Sequence, residues 1–540
     1  MSVLRKLAGQ TAIYGLSSIV ARFLNYLLTP LYTSRGVFAP AAYGVITSLY
    51  AWTAFLNVVL TYGMETTFFR FANKQEDGGR TYATAVYLLS ATTAVFLLLG
   101  LLFGDGIAAF IGYPEHATSV RLLVVVIAMD ALTVVPMARL RQENRPWKFA
   151  AINVVSVLVN IGLNLFFLAY CMPRYNAGEA NALINAVYDP AFGVGYVFLA
   201  NVASSGLKLL LLLPEWPALR AKDGRGGFDA KRLGPMLAFG LPLLVAGLAG
   251  MTNETADRVL MKHLLPAEVA DGQIGIYGAC YKLAILITLF IQAFRFAAEP
   301  FFFSHAREKN SAETFARIMN IFVAVCMGAF LLVMLFLDLF KWFIPNPAYW
   351  PGLVVVPVLL LANVFLGIYY NQSVWYKLSD RTHAGGTIAI IGAVITLVLL
   401  FWWIPVWGYL GAAWATLICY ASMAAISYVW GQKHYPIPYN VQRVLGYMAA
   451  GVFLWWGCEQ LPLEGAMKYA LRALVPGGWS VVHRVESSPV EASHKAEFRT
   501  VGRRSPSPPP TSPWCRNAGS ARCAPAVPWL VPPSIQCPRL

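Results

Sequence analysis

Long apolar stretches recur along the whole chain, separated by short polar segments that hold most of the charged residues. The stretches are continuous rather than alternating, which favours membrane-spanning helices over the strands of a barrel. A run of about 20 residues crosses the hydrocarbon core as a helix. The sequence therefore predicts thirteen spans and a weaker fourteenth, at about residues 11–33, 44–69, 81–103, 120–140, 149–171, 191–213, 235–257, 275–303, 314–340, 352–375, 385–405, 409–430, 443–460 and 466–485.

Two of these stretches resemble each other at a constant separation of about 234 positions. The matched residues are Tyr43 and Tyr277, Gly44 and Gly278, Leu49 and Leu283, Glu65 and Glu299, Phe68 and Phe302, Phe69 and Phe303, and Ala72 and Ala306. The first and seventh spans also share a pattern, Tyr14-Gly15-Leu16 and Phe239-Gly240-Leu241. An internal repeat indicates two related halves, and in transporters the binding site lies between such halves. The alternative interpretation is a coincidence between aromatic-rich helices.

The composition is that of a polytopic membrane protein. Of the 540 residues, 58% are hydrophobic and only 12% are charged, whereas soluble domains carry about 25% charged residues. The net charge of +15 does not indicate nucleic acid as a partner, because Lys and Arg concentrate in alternate loops. These loops lie near residues 74–80, 139–148, 219–232, 305–310, 377–381 and 432–434. By the positive-inside rule, this distribution predicts a cytoplasmic N-terminus.

The predicted fold class is an all-α polytopic membrane protein with two pseudo-symmetric six-helix lobes around a central cavity. We expect the lobes at residues 1–213 and 235–430. The segment 214–234 is rich in Pro, Gly and charge, which is typical of a linker. One or two extra helices are predicted at 431–476. Residues 477–540 contain SPSPPPTSP and scattered Arg, a composition that predicts a disordered tail and suggests an aberrant C-terminus.

The sequence offers little for catalysis. Its eight Cys form no CxxC motif and no Cys/His spacing of a metal site, so we expect neither a metal nor a cofactor. It lacks a P-loop, which argues against ATP as the direct energy source. The longest predicted outer loop, 173–190, holds only Glu179 and Asp189 as carboxylates. We therefore do not expect an enzyme.

Ionisable groups inside the predicted spans are the candidate functional residues, because charges in a bilayer are costly. The residues predicted to bind substrate in the cavity are Arg22, Arg295, Lys282 and Asn25. Guanidinium groups are suited to this role, since they grip phosphate through two parallel hydrogen bonds. The residues predicted to couple ions or form structural ion pairs are Glu65, Glu299, Asp130, Asp257 and Arg258. The alternative for Arg22 is an internal ion pair with Asp130 or Glu65.

The N-terminal part of the chain resembles the polysaccharide-biosynthesis and oligosaccharide flippase family of the multidrug/oligosaccharidyl-lipid/polysaccharide transporter superfamily. The resemblance rests on TAIYGLSSIVARFLNYLLTPLYTSR, AAYGVITSLYAW and GMETTFFRFAN, and it extends over most of residues 1–475. It implies two six-helix lobes around a cationic cavity, to which Arg22 and Arg295 would contribute. It also implies flipping of undecaprenyl-diphosphate-linked oligosaccharides across the bacterial inner membrane. The implied partners are this substrate, membrane lipids and enzymes of glycan synthesis.

Three functions are compatible with these features. The first is a flippase for lipid-linked oligosaccharide that works by alternating access, of which a lipid II flippase is a close relative. The second is a cation-coupled multidrug antiporter, which needs a cavity dominated by carboxylates such as Asp130, Glu65 and Glu299. The third is a membrane glycan polymerase or ligase.

Overall fold

The computed structural model describes residues 3–74, 78–220, 227–306, 308, 310–461, 472 and 479, and these residues form helices and no strand. The α-helices of the first half are α1 Val3–Tyr26, α2 Leu28–Tyr32, α3 Pro40–Thr61, α4 Met64–Lys74, α5 Gly78–Leu102, α6 Gly104–Phe110, α7 Ala117–Gln142, α8 Pro146–Asn164, α9 Met172–Asn176, α10 Ala182–Val187 and α11 Gly195–Leu212. Those of the second half are α12 Ala230–Leu264, α13 Ala267–His305, α14 Ser311–Leu335, α15 Leu337–Phe340, α16 Val356–Gln372, α17 Val374–Leu378, α18 His383–Trp407, α19 Tyr409–His434 and α20 Val441–Gln460.

Shorter helical segments complete the chain. A π-helical segment at Leu165–Cys171 continues α8. The 3₁₀ helices are Pro114–His116, Pro190–Phe192, Leu213–Arg220, Lys341–Phe343 and Pro347–Val355.

Eleven helical segments of the described chain are long and apolar enough to cross a membrane. They are Pro40–Ala72, Gly79–Leu102, Pro114–Gln142, Pro146–Asn176, Gly195–Trp216, Ala230–Leu264, Ala267–His305, Ser311–Leu335, Pro347–Leu378, His383–Trp407 and Tyr409–His434. These segments confirm the predicted all-α polytopic fold class. The first and thirteenth predicted spans coincide with α1 and α20, which are helices of sufficient length but lie outside this apolar group.

The second predicted span is divided into α3 and α4. The break lies at Tyr62 and Gly63, whose φ angles are 31° and 68°. Glycine adopts a positive φ readily, whereas tyrosine does so rarely. A Cβ added to Gly63 would lie only 2.8 Å from the Cβ of Leu243 in α12, so close packing also requires glycine here. The apolar pattern continues through the break, and the sequence therefore did not reveal it.

The two lobes meet along helices that the sequence repeat relates. Following the halves expected from the sequence, we call helices α1–α11 the first lobe and α12–α19 the second. α3 packs along α13, so the two helices that carry the repeat are neighbours. α1 also contacts α13, while α12 contacts α3 and α4. We call this boundary, formed by α1, α3 and α4 on one side and α12 and α13 on the other, the seam.

Glycines bring α3 and α13 into backbone contact near their N-terminal ends. A Cβ added at Gly44 would collide with the carbonyl oxygen of Asp271. A Cβ added at Gly275 would likewise collide with the carbonyl oxygen of Pro40. Small residues permit such close approach between helices in a bilayer. We call this contact the glycine crossing.

Polar contacts between the lobes surround the glycine crossing. The hydroxyl of Tyr113 donates to Asp271 Oδ1 at 2.9 Å, and within the second lobe Lys262 Nζ lies 2.8 Å from Asp271 Oδ2. Burial, reinforced by the carboxylate of Asp271, raises the pKa of Tyr113 and keeps its hydroxyl a neutral donor. The hydroxyl of Tyr349 donates to the Phe38 carbonyl at 3.0 Å. Hydrogen bonds therefore join the two lobes at the end of the bundle that carries the crossing.

Two described residues beyond α20 contact the second lobe. Arg472 Nη1 lies 3.1 Å from Asp338 Oδ2, and its Nη2 lies 2.6 Å from Glu459 Oε1. Trp479 Nε1 donates to the carbonyl of Ala324 in α14 at 2.7 Å. The remainder of the predicted fourteenth span and of the predicted tail lies outside the described residues.

Replacing Gly44 with Ala tests the glycine crossing. We expect the free energy of unfolding to fall by about 1–3 kcal/mol, because the added methyl group forces the two backbones apart. Denaturant unfolding of the purified protein in detergent measures this loss. The matched control is Gly250→Ala in α12, where a Cβ meets no atom within 4 Å. Equal stability of the two variants would contradict a tight crossing.

Candidate functional site

Arg22 lies on the face of α1 that contacts the second lobe. Its Nη1 donates to Oε1 of Gln292 in α13 at 2.6 Å. Two turns earlier on the same face, Gly15 packs against the ring of Phe296, where an added Cβ would lie 3.1 Å from Cγ. The hydrogen bond of Arg22 therefore crosses the seam and joins the two lobes.

Arg295 lies on α13 and contacts groups of its own lobe. Its guanidinium carbon is 4.3 Å from the centroid of the Tyr370 ring, and its Nη2 is 3.8 Å from Glu299 Oε1. Lys377 Nζ lies 2.5 Å from the same oxygen. The structure thus places the two predicted arginines, Arg22 and Arg295, on different sets of partners.

The matching carboxylate of the first lobe has an equivalent partner. Glu65 of α4 pairs with Arg141 of α7. Glu65 corresponds to Glu299 in the repeat, and Arg141 and Lys377 are separated by nearly the same offset. Each lobe therefore holds an ion pair between its second and fourth spans. In this structure both carboxylates are neutralised by cations.

Asp257 and Arg258 form a buried polar cluster in the second lobe, where they are only 4% and 3% exposed. Arg258 Nη1 lies 3.4 Å from Asp257 Oδ1 and donates to the Glu254 carbonyl at 2.8 Å. The Tyr277 hydroxyl donates to Asp257 Oδ2 at 2.6 Å, and the Arg258 guanidinium lies 4.3 Å from the Tyr281 ring centroid. Buried ion pairs need such additional partners to offset the loss of hydration.

The remaining predicted residues lie in different places. Lys282 is partly buried on α13, within electrostatic reach of Arg258, and has no carboxylate partner in the described part of the chain. Asp130 accepts a hydrogen bond from Ser205 Oγ at 2.9 Å within the first lobe. Asn25 lies on α1 and its side chain forms no hydrogen bond with any described residue. Arg22 therefore does not form the alternative ion pair with Asp130 or Glu65.

Arg22 and Lys282 differ from two other predicted cations in whether a carboxylate compensates their positive charge. Arg258 and Arg295 each have a carboxylate partner. Arg22 is hydrogen-bonded to a neutral amide, and for Lys282 the described residues supply no carboxylate. Both lie on helices of the seam. An uncompensated positive charge at such a boundary attracts an anionic ligand.

Sequence reasoning missed Gln292, Arg141 and Lys377. Arg141 and Lys377 fall in charged segments that the positive-inside rule already explains. Their nearly constant offset, combined with that of Glu65 and Glu299, is the signal that could have found them. Gln292 gives no such signal, because a polar residue in an apolar helix most often bonds to a neighbouring helix.

Several solved structures of membrane transporters have a similar architecture. The lipid II flippase MurJ in an inward closed conformation gives a TM-score of 0.68 at 13% identity, covering 88% of this chain and 99% of that chain. An inward-facing multidrug resistance MATE family transporter of the MOP superfamily gives 0.60 at 14% identity, with 79% and 96% covered. MATE in the straight conformation gives 0.54 at 15% identity, with 81% and 95% covered. The protein thus has the two-lobed fold of this class of membrane transporters.

A family model assigns the chain more narrowly. The model for polysaccharide biosynthesis proteins matches residues 37–344, which is more than half of the chain. The protein belongs to this family, which confirms the resemblance found in the sequence. A comparison with curated proteins gives no significant match. Family and fold together define a multi-pass membrane protein of polysaccharide biosynthesis, with a fold that solved membrane transporters share.

Reversing the charge of Lys377 tests its pair with Glu299. We expect Lys377→Glu to lower the free energy of unfolding by about 1–3 kcal/mol, because two partly buried carboxylates then face each other. The double variant Lys377→Glu/Glu299→Lys should recover most of this loss. Thermal unfolding in detergent measures both effects. If the double variant is as unstable as the single one, the ion pair does not stabilise the lobe.

Proposed function

We propose that the protein flips an undecaprenyl-diphosphate-linked oligosaccharide across the membrane by alternating access. The observation that carries this proposal is Arg22, a cation at the seam whose partner, Gln292, leaves its charge intact. Lys282 adds a second positive charge on α13. A diphosphate is anionic, and guanidinium binds it through parallel hydrogen bonds.

In the proposed cycle, the diphosphate and sugars enter between the lobes while the polyprenyl chain stays in the bilayer. The lobes rock against each other, as in other transporters built from two repeats. The contacts that join the two lobes, such as Arg22 with Gln292 and Tyr113 with Asp271, break and reform during this motion. A proton or ion gradient biases the cycle, with Glu65, Glu299 and Asp130 as candidate coupling groups.

The proposal places the protein in the bacterial inner membrane with its N-terminus in the cytoplasm. The lobes at 1–213 and 235–430 are then joined by a cytoplasmic linker at 214–234. The ion pairs Glu65–Arg141 and Glu299–Lys377 lie at the cytoplasmic ends of their spans. Glycosyltransferases on that side supply the lipid-linked substrate.

A cation-coupled multidrug antiporter is the second candidate, because MATE transporters share the fold. Such an exporter needs carboxylates that are free to bind a cationic drug. Glu65, Glu299 and Asp257 are each paired with a cation here, and Asp130 is hydrogen-bonded. These contacts favour the flippase. Drug efflux in a hypersensitive strain tests the antiporter, and sugar transfer by the purified protein tests a glycan polymerase or ligase.

Replacing Arg22 with Ala in a strain that lacks the chromosomal gene tests the flippase. We expect glycan export to fall about tenfold or more, because the loss of a charged hydrogen-bond donor costs about 1.5–3 kcal/mol. Surface glycan and the accumulated lipid-linked precursor are measured together. Arg121→Ala is the control, since Arg121 forms an exposed pair with Asp105 away from the seam. Normal export by the Arg22 variant would contradict the proposal.

A further inference from the structure

We infer that Gln292 is a positioning residue for Arg22, the cation proposed to bind the substrate. Its neutral amide holds Arg22 across the seam in the unliganded protein without cancelling the charge of the guanidinium. The inference rests on the proposed function, since it requires that Arg22 meets an anionic ligand. It goes further by naming the residue that keeps this cation both fixed and available.

Packing on both sides fixes the two side chains relative to each other. Arg22 lies seven residues after Gly15 and four before Tyr26, so the three share one face of α1. The ring of Tyr26 stacks on Phe343 of the second lobe with 4.5 Å between centroids. Because contacts to the second lobe occur both before and after Arg22, its hydrogen bond to Gln292 lies inside a packed part of the seam.

The packing around this pair is duplicated in the other half of the molecule. In the first lobe Gly15 meets Phe296 of α13; in the second, Gly240 of α12 meets the carbonyl of Tyr62, where an added Cβ would lie 2.9 Å away. Gly240 corresponds to Gly15 in the pattern that the first and seventh spans share. Tyr62 corresponds to Phe296 at the repeat's separation of about 234 positions. The contacts between the lobes therefore repeat at this level.

The polar pair itself is not duplicated. The offset that relates Gly15 to Gly240 also relates Arg22 to Gly247. The offset that relates Tyr62 to Phe296 also relates Val58 to Gln292. Gly247 and Val58 are indeed in contact, since a Cβ on Gly247 would lie 2.9 Å from Val58 Cγ1. An apolar contact is thus sufficient to join the lobes at this position. The charged donor and its amide acceptor on the other side must serve a purpose other than packing.

The choice of an amide decides what Arg22 can still bind. A carboxylate, such as the one that Asp257 presents to Arg258, forms an ion pair and competes with an anionic ligand. The amide oxygen of Gln292 accepts one hydrogen bond from Nη1. A guanidinium has five N–H donors, so the others remain for phosphate oxygens. Exchange of a neutral acceptor for a charged one strengthens the hydrogen bonds that Arg22 makes.

The test measures binding of undecaprenyl diphosphate to the full-length protein in phosphatidylcholine nanodiscs. We expect Gln292→Glu to weaken binding about tenfold or more, because its carboxylate forms an ion pair with Arg22. Thermal stability of this variant should be equal to that of the parent or higher. We expect Gln292→Leu to weaken binding as well, because Arg22 then has no acceptor to hold it in place.

The matched control is Gln273→Glu. Gln273 lies on the same helix and accepts from the Tyr409 N–H at 3.2 Å, so the substitution adds the same charge far from Arg22. It should leave binding within about twofold of the parent. The exchange Arg22→Gln/Gln292→Arg keeps the pair and moves the cation across the seam, and it should recover binding relative to Gln292→Glu.

The outcomes separate the inference from the proposed function. If the parent protein binds the diphosphate and Gln292→Glu binds it equally well, Gln292 only joins the lobes and the inference is overturned alone. If the parent does not bind the diphosphate, the proposed function fails and the inference fails with it. Loss of binding in both Gln292→Glu and Gln292→Leu, with unchanged or raised stability of Gln292→Glu, supports both. Normal binding by Gln292→Leu shows that Gln292 does not position Arg22 and overturns the inference alone.

Discussion

The cost of placing charge inside an apolar bundle shapes this protein. A charged side chain at the centre of a bilayer costs about 2.5–3.5 kcal/mol even by insertion measurements. Most of the predicted ionic residues meet this cost with an opposite charge, as in Glu65 with Arg141, Glu299 with Lys377 and Asp257 with Arg258. Among the described residues, Arg22 instead meets a neutral acceptor and Lys282 meets no carboxylate. The proposed function depends on these uncompensated cations.

The two halves share a duplicated helical framework, and they differ in the residues at the position of Arg22. The repeat places α3 and α13 side by side, and each lobe keeps an acidic residue paired with a cation between corresponding helices. The glycine contacts that join the lobes are also repeated. The polar pair is not repeated, because the second lobe has Gly247 at the position where the first lobe has Arg22. A ligand held there would therefore lie closer to one half of the fold than to the other.

The helices, the repeat and the positions of charges within spans were predictable, because they follow from apolar run length and from residue identity. The break at Tyr62 and Gly63 was not, since tertiary packing against α12 imposes a backbone conformation that the apolar pattern does not record. Apolar run length and residue identity did not give the partners of the charged residues, and only the offset that Arg141 and Lys377 nearly share with Glu65 and Glu299 pointed to two of them. Lys377 meets Glu299 only after two distant helices pack together.

The length of α13 has a mechanical consequence. Its 39 residues form a continuous rod of about 58 Å, whereas the hydrocarbon layer is only about 30 Å thick. Even a strongly tilted helix of this length projects into the aqueous phase. The rod begins beside the glycine crossing and ends beyond Lys377's partner, Glu299. A change in the tilt of α13 at one membrane surface would therefore also move its end at the opposite surface.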